Sequence, residues 1–313
     1  MYGAAAGSSK SRWLAAPGAR PYLRQSMPAS APDPPTWHSA ARPSGALLEK
    51  PQPEAQVGSG FRGKVAMVTG GATGLGRSVA LEFGRLGCSV AFCFVDLPGR
   101  DVRETAVLTE TAISSMGVGV LAECCDVRDR AQVERFVAKI RAKFETIHYL
   151  VNNAGMANDG AHWRLDASEW SEVIDTNLTG AFNCTSAVAP TFRGQRYGKI
   201  VNVSSHLAGH PGFGVASYAA SKAGIGSLTK ALANEWAASG VCVNAIAPGY
   251  IATELTEPLQ RDPVRGEQIL ARIPAGRWGR PEDFKGPVVF LASAASDYLN
   301  GHVLIVDGGW MGR

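Results

Sequence analysis

No stretch of the chain is long and apolar enough to suggest a membrane span. No run approaches the ~18–20 apolar residues that a spanning helix needs. The N-terminal stretch also lacks the apolar segment of a secretory signal. There is no C-x-x-C, so the six cysteines (Cys88, Cys93, Cys124, Cys125, Cys184 and Cys242) do not form a metal or redox pair of that spacing. Their apolar neighbours mark them as buried, reduced thiols of a reducing compartment. Internal repeats are absent, and nothing marks a second folded domain. A charge excess is missing from most of the chain: residues 63–313 carry 24 Lys+Arg and 24 Asp+Glu. The net +4 therefore sits in the first 62 residues and says nothing of nucleic acid at the folded body.

What is present is an ordinary globular composition. With 45% hydrophobic and 19% charged residues over 313, the chain has enough apolar side chains for one large core. Residues 1–60 stand apart. They are rich in Ala, Pro, Ser and Gly, show no apolar period (residues 28–35 read PASAPDPP) and are expected to be a disordered tail. Lys10, Arg12, Arg20 and Arg24 all precede the first acid, Asp33. This pattern suits an organelle transit peptide. It equally suits upstream sequence translated from an early start, with Met27 as a later one. The folded domain is expected over residues 61–313, in the cytoplasm unless the tail directs import.

Residues 64–69 (KVAMVT) form a short apolar, β-branched run, hence a buried strand. They lead into Gly70-Gly71-Ala72-Thr73-Gly74-Leu75-Gly76 and a helical pattern over 77–86. A glycine loop between strand and helix allows tight turning and close backbone approach, and the first N–H groups of the helix suit a pyrophosphate. The spacing is G-x-x-x-G-x-G rather than G-x-G-x-x-G, so the loop alone is open to a structural reading. A second strand, 89–95 (SVAFCFV), ends where an acid binds the ribose 2′-OH of NAD or an Arg accommodates the 2′-phosphate of NADP. Asp96 lies there, with Arg100 and Arg103 just beyond, so the choice between NAD and NADP stays open.

Further strands at 119–124, 147–151, 199–203, 241–246 and 303–306 alternate with helical patterns at 103–116, 131–144, 168–189, 218–239 and 281–292. The 168–189 pattern is interrupted near Gly180 and carries Asn177 inside it. The alternation implies an α/β chain: one Rossmann-type, doubly wound parallel sheet flanked by helices, in a single domain. Ligands on such sheets bind beyond the carboxyl ends of the strands. The glycine loop, Asp96, Asp126 and residues 152–155 all fall there. The polar segment 252–280 reads as a mobile cover over the pocket. Its arginines (Arg261, Arg265, Arg272, Arg277, Arg280) have acids close by, which suggests solvated pairs.

Tyr218 and Lys222 stand four apart in residues 218–222 (YAASK), on one face of a helix. A free phenol, with a pKa of ~10, is a poor proton donor or acceptor at neutral pH. A fixed ammonium one turn away favours the phenolate. Lowering the phenol by roughly 3 units takes about 4 kcal/mol, a plausible load for one close cation plus a cationic cofactor ring. A tyrosine so poised passes a proton to or from a carbonyl or alcohol oxygen.

The motifs TGGATGLG (69–76), CDV (125–127), NNAG (152–155), Asn177, SS (204–205), YAASK (218–222) and PGYIAT (248–253) come in an order and spacing that resembles the short-chain dehydrogenase/reductases. The resemblance runs from residue 61 to the C-terminus. It implies NAD or NADP as cofactor, no metal, and hydride transfer between a secondary alcohol and a ketone. It implies Tyr218 as general acid/base, and Lys222 as the group that lowers its pKa and holds the nicotinamide ribose. Ser205 is implied as the hydrogen bond to the substrate oxygen, and Asn177 as organiser of a relay water. The implied cofactor contacts are Gly70, Thr73, Gly74, Leu75 and Gly76, then Asp96, then Asp126 with Val127 at the adenine. Asn153, Ala154 and Gly155 are implied along the adenosine ribose, and Ile251 and Thr253 at the carboxamide with Pro248 and Gly249 beside them.

Residues 233–236 (ANEW), 273–279 (IPAGRWG) and the C-terminal stretch resemble the deoxygluconate and gluconate dehydrogenases. Residues 159–183 resemble 3-oxoacyl carrier-protein and acetoacetyl-CoA reductases. The substrate is therefore expected to be a sugar acid or polyol, or a 3-oxoacyl thioester. His162, Trp163, His206 and His210 are candidates to line its pocket. The expected partners are a small-molecule substrate and further copies of the chain, as a tetramer or dimer, with neither nucleic acid nor membrane. The rival reading is a catalytically inactive NAD(P)-binding regulatory protein. Such proteins usually lose the Tyr or Lys, and here Asn177, Ser205, Tyr218 and Lys222 are all present.

Overall fold

A computed structural model describes residues 60–96, 102–158 and 161–313. The tail expected at 1–60, but for Gly60, and Arg100 lie outside these residues. The elements alternate as the apolar runs imply. β1 (Val65–Thr69) leads to α1 (Gly74–Arg85), β2 (Ser89–Phe94) to α2 (Val102–Ser114), and β3 (Val120–Cys124) to α3 (Arg130–Phe144). β4 (Tyr149–Asn152) is followed by α4 (Ala167–Ile174) and α5 (Gly180–Gln195), and β5 (Gly198–Val203) by the long α6 (Ala216–Trp236). β6 (Val241–Pro248), the short α7 (Glu257–Arg261) and α8 (Pro263–Arg272), α9 (Lys285–Ala292) and β7 (Val303–Val306) complete the chain.

The strands form one sheet in the order β3-β2-β1-β4-β5-β6-β7, with every neighbouring pair parallel. Side chains alternate across it. Ala66 and Val68 of β1 join a core with Phe83 of α1, Ile113 of α2 and Val288 of α9. Val65 and Met67 join a second core, with Phe136 of α3, Val188 of α5 and Ala233 of α6. Each face of the sheet is thus covered by helices, which is why its inner strands read as unbroken apolar runs. Four of the cysteines (Cys88, Cys93, Cys125, Cys184) are buried free thiols, as expected, but Cys124 at the end of the edge strand β3 is exposed.

The helical pattern over 168–189 is not one helix. Between α4 and α5 lies a π-helical turn, Asp175–Thr179, closed by the Gly180 N–H donating to the Asp175 carbonyl. Such single wide turns concentrate at functional sites. Gly180 follows it because a Cβ there would sit 2.5 Å from Cγ2 of Val127, so only glycine lets this helix close on the loop after β3. α6 presses on the same turn: a Cβ on Gly224 would lie 2.8 Å from Leu178 Cδ2.

The chain order reverses between β1 and β4, where a crevice opens at the carboxyl edge. Thr69, buried at the end of β1, spans that point. Its hydroxyl accepts from the N–H groups of Asn153 (3.0 Å) and Ala154 (2.9 Å). Thr69→Val keeps the shape but leaves the Ala154 N–H unpaired and the Asn153 N–H with the Val151 carbonyl alone. It should cost about 1–3 kcal/mol, read as a lower denaturant midpoint at unchanged m. An unchanged midpoint would show that the hydroxyl does not hold the two strand ends.

Candidate active site

The glycine loop has the shape of a cradle, with the start of α1 closed tightly onto it. Gly70 has φ +63°, a left-handed conformation open to glycine. At Gly76 a Cβ would collide with the Gly70 carbonyl and the Asn153 amide, so α1 can start flush against the loop. Thr73 precedes α1 in extended conformation without a side-chain cap, and no acid stands in the first turn. The first N–H groups of the helix, at Gly74, Leu75 and Gly76, therefore have no side-chain acceptor and suit an anion. A Cβ on Gly74 would lie 3.6 Å from Thr253, which brings the segment after β6 over the same loop. Ile251, just before it, is buried and bridges to Gly279.

The catalytic candidates converge at the carboxyl ends of β4 and β5. The Lys222 ammonium, buried, donates to the Val203 carbonyl at 2.7 Å and lies 5.7 Å from the centre of the Tyr218 ring. Ser204 Oγ donates to the Lys222 carbonyl at 2.9 Å, pinning α6 to the end of β5. Ser205 Oγ accepts from the Leu207 N–H at 3.1 Å, so its own proton is left for another acceptor. Asn177 Oδ1 accepts from the Met156 N–H (2.8 Å), and its Nδ2 donates to the Met156 carbonyl and Ser221 Oγ (both 2.9 Å). A Cβ on Gly155 would meet Asn177 Oδ1 at 3.2 Å and Lys222 Nζ at 3.4 Å, so these groups share one small space.

A model of the family described as Enoyl-(Acyl carrier protein) reductase matches residues 70–311. The 2-dehydro-3-deoxy-D-gluconate 5-dehydrogenase of Pseudoalteromonas atlantica is 43% identical over 255 residues, 81% of this chain and 98% of that one. The 3-oxoacyl-(acyl-carrier-protein) reductase of Staphylococcus aureus is 39% identical over 246 residues, 79% and 97%. Among solved structures, a gluconate 5-dehydrogenase from Burkholderia cenocepacia in complex with NADP and tartrate superposes with a TM-score of 0.76 at 32% identity, covering 82% of this chain and 100% of that one. The chain belongs to the short-chain dehydrogenase/reductase family. It is an NAD(P)-dependent oxidoreductase.

Within this short-chain dehydrogenase/reductase several of the residues expected at the cofactor also bond one another. Both N–H bonds of the Asn153 side chain go to the loop carbonyls of Thr69 (2.9 Å) and Gly70 (3.1 Å), so it braces the cradle. Asp126 is gripped by the Arg128 guanidinium at 2.7 Å and accepts from the Arg128 N–H at 2.9 Å, while Val127 packs inward. Asp96 and Arg103, the rival readers of the cofactor's 2′ position, pair with each other at 2.5 Å. Both N–H donors of the Asn177 amide are used, so a relay water can reach only a remaining lone pair of Oδ1 or a backbone group.

His206 does not line the pocket as a free base. It is buried, its Nδ1 donates to the Pro248 carbonyl at 3.0 Å, and its Nε2 has no partner. Burial holds its pKa below the usual value. His162 and Trp163 lie on a short turn, His162–Arg164, where Trp163 is exposed and meets Phe213 edge-on. His210 does line a cavity, with Leu207 beside it. Thr69 and Ser221 lie inside the quoted motifs, but their structural roles were not signalled in the sequence, because the partners that matter, Asn153 and Ala154 for Thr69 and Asn177 for Ser221, lie more than 40 positions away.

Burial alone lowers the Lys222 pKa from 10.5 to about 8. A lysine depressed in the fold binds fewer protons than in the unfolded chain between those values, so its cost is full below pH 8 and fades as pH rises to 10.5. At neutral pH that cost is about 3 kcal/mol, against ~1 kcal/mol for the hydrogen bond to Val203. Lys222→Met should therefore raise the unfolding midpoint at pH 7, by a margin that shrinks or reverses by pH 10.5. A variant less stable at both pH values would contradict this reading.

Proposed function

We propose that the protein interconverts a secondary alcohol and a ketone on a sugar acid, with Tyr218 as the group that moves the proton. The observation that carries this reading is the buried, protein-held ammonium of Lys222 one turn from Tyr218. The nicotinamide, when bound, supplies or accepts the hydride. In the reducing direction the Tyr218 hydroxyl gives its proton to the substrate oxygen, and in the oxidising direction the phenolate takes it back. The Lys222 ammonium favours that phenolate. The unspent proton of Ser205 suits donation to the same oxygen, where charge grows in the transition state. Asn177 sets the distance between the Met156 segment and α6 and so shapes the space beside Lys222.

The sugar-acid reading draws on the 2-dehydro-3-deoxy-D-gluconate 5-dehydrogenases among the relatives. The second substrate reading, a 3-oxoacyl thioester, draws on the carrier-protein reductase at 39% identity. We take residues 61–313 as the catalytic domain, residues 1–60 as an appended tail, and the working form as a cytoplasmic homo-oligomer. No helix among the described residues is long and apolar enough to cross a membrane.

Tyr218→Phe should lower kcat by at least about 10²-fold, the low end for a lost general acid, while NADPH binding by nicotinamide fluorescence stays close to wild type. Turnover that survives the change would reject this mechanism. The Asp96–Arg103 pair sets the second test. Asp96→Asn should free Arg103 for a 2′-phosphate and remove the acceptor for a 2′-OH. NADPH should then bind about tenfold tighter and NADH more weakly, in parallel titrations. Equal affinities before and after would reduce the pair to surface decoration.

A further inference from the structure

A cavity of about 540 Å³ opens between the turn that follows Ser205 and helix α8. That volume is in the range of small-molecule sites. Leu207, whose N–H donates to Ser205 Oγ, lines it, so the cavity starts two residues along the chain from Ser205, which is not itself in the lining. One side is aromatic. The Tyr250 and Trp310 rings stand 4.9 Å apart at 61°, and Trp310 is buried. His210 and Gln268 offer hydrogen-bonding groups, and no acidic side chain lines the space.

Arg272, in the last turn of α8, supplies the charge. Its guanidinium carbon lies 4.1 Å over the Trp310 ring. Its neighbours in the cover segment are spent on acids: Arg261 on Glu257, and Arg277 on Asp283 at 2.7 Å. No carboxylate among the described residues pairs with Arg272. This departs from the solvated pairs expected for these arginines. Stacking holds the guanidinium in a plane, through cation–π attraction, and leaves its N–H edge open. A planar fork of this kind matches a carboxylate with two parallel hydrogen bonds.

We propose that Arg272, held on Trp310, binds the carboxylate of the substrate and so selects acids over their uncharged counterparts. The C–H face of a short polyol chain rests on Tyr250 and Trp310, and its hydroxyls meet His210 and Gln268. The reacting end of a 3-oxoacyl thioester is uncharged and has no use for this cation. The proposal rests on the hydride-transfer reading of the Tyr218 site.

The test uses the purified full chain with NAD and NADP. D-gluconate and 2-dehydro-3-deoxy-D-gluconate are each set against their primary amides, which keep the shape and lose the charge. Wild type should turn over at least one acid with a clear preference over its amide. Arg272→Gln should raise KM for the acid roughly 10- to 100-fold, with kcat and NADPH affinity little changed and the amide unaffected. Arg272→Lys should recover only part of the loss, since an ammonium lacks the fork. An unchanged KM for the acid, or equal losses on acid and amide, would overturn the assignment of Arg272. Failure of the underlying reading looks different: wild type would bind NADPH yet turn over none of these compounds, and the proposal would fall with it.

Discussion

One cation out of water governs this site. Among the described residues the Lys222 ammonium has no carboxylate partner to offset its burial; it holds the Val203 carbonyl and faces the small space beside Gly155 and Asn177. Burying an unpaired charge is costly, and the depressed pKa of about 8 measures that cost. The arrangement persists because the surroundings over-determine it. Ser204 ties the backbone of α6 at Lys222 itself, and Ser221, one residue earlier, is tied to Asn177. An ammonium so placed stays cationic near neutral pH and acts on the adjacent phenol through a medium that screens little. Stability is lower there so that the electrostatics can be stronger, the usual trade at a working site.

The frame that holds this cation is itself polar at its centre. Asn152 Nδ2 donates to Asn202 Oδ1 (2.8 Å) and Thr185 Oγ1 (3.0 Å), and Asn202 Nδ2 donates to Thr229 Oγ1 (2.9 Å). This buried chain joins β4, β5, α5 and α6 below the catalytic cluster. Asn152 Oδ1 alone in this hydrogen-bonded chain has no partner; apolar packing tolerates small shifts between elements, whereas directional buried hydrogen bonds favour one register. Thr69 does the same between β1 and β4, and Asn153 carries the link on to the glycine loop. The glycine loop and the end of β4 are therefore tied together across the switch point.

Charge is distributed unevenly along the crevice. At the β2 end, Asp96 and Arg103 neutralise each other on the surface. At the other end, Arg272 lies on an aromatic ring in a cavity without acids. The first is a balanced pair and the second a standing positive field. The buried Lys222 ammonium and Asn177 stand by the π-helical turn and α6.

Much of this was legible in the order of residues. A parallel sheet covered on both faces needs apolar strands of similar length alternating with helices, and those runs sit in the chain at the observed places, with strand boundaries shifted by at most two residues and helix ends by up to six. The interruption at Gly180 and the odd Asn177 signalled the break that became a π-helical turn. The spacing of Tyr218 and Lys222 alone put them on one helix face, because helical geometry is local. Contacts between distant segments were not legible. That Asp96 meets Arg103, that His206 turns inward to Pro248, and that Arg272 finds Trp310, 38 positions away, instead of an acid nearby, depend on how β-strand ends, loops and the C-terminus meet in space. Local periodicity determines which face a side chain takes. Only the packed fold decides which partner stands opposite it, and whether water is left to screen the pair.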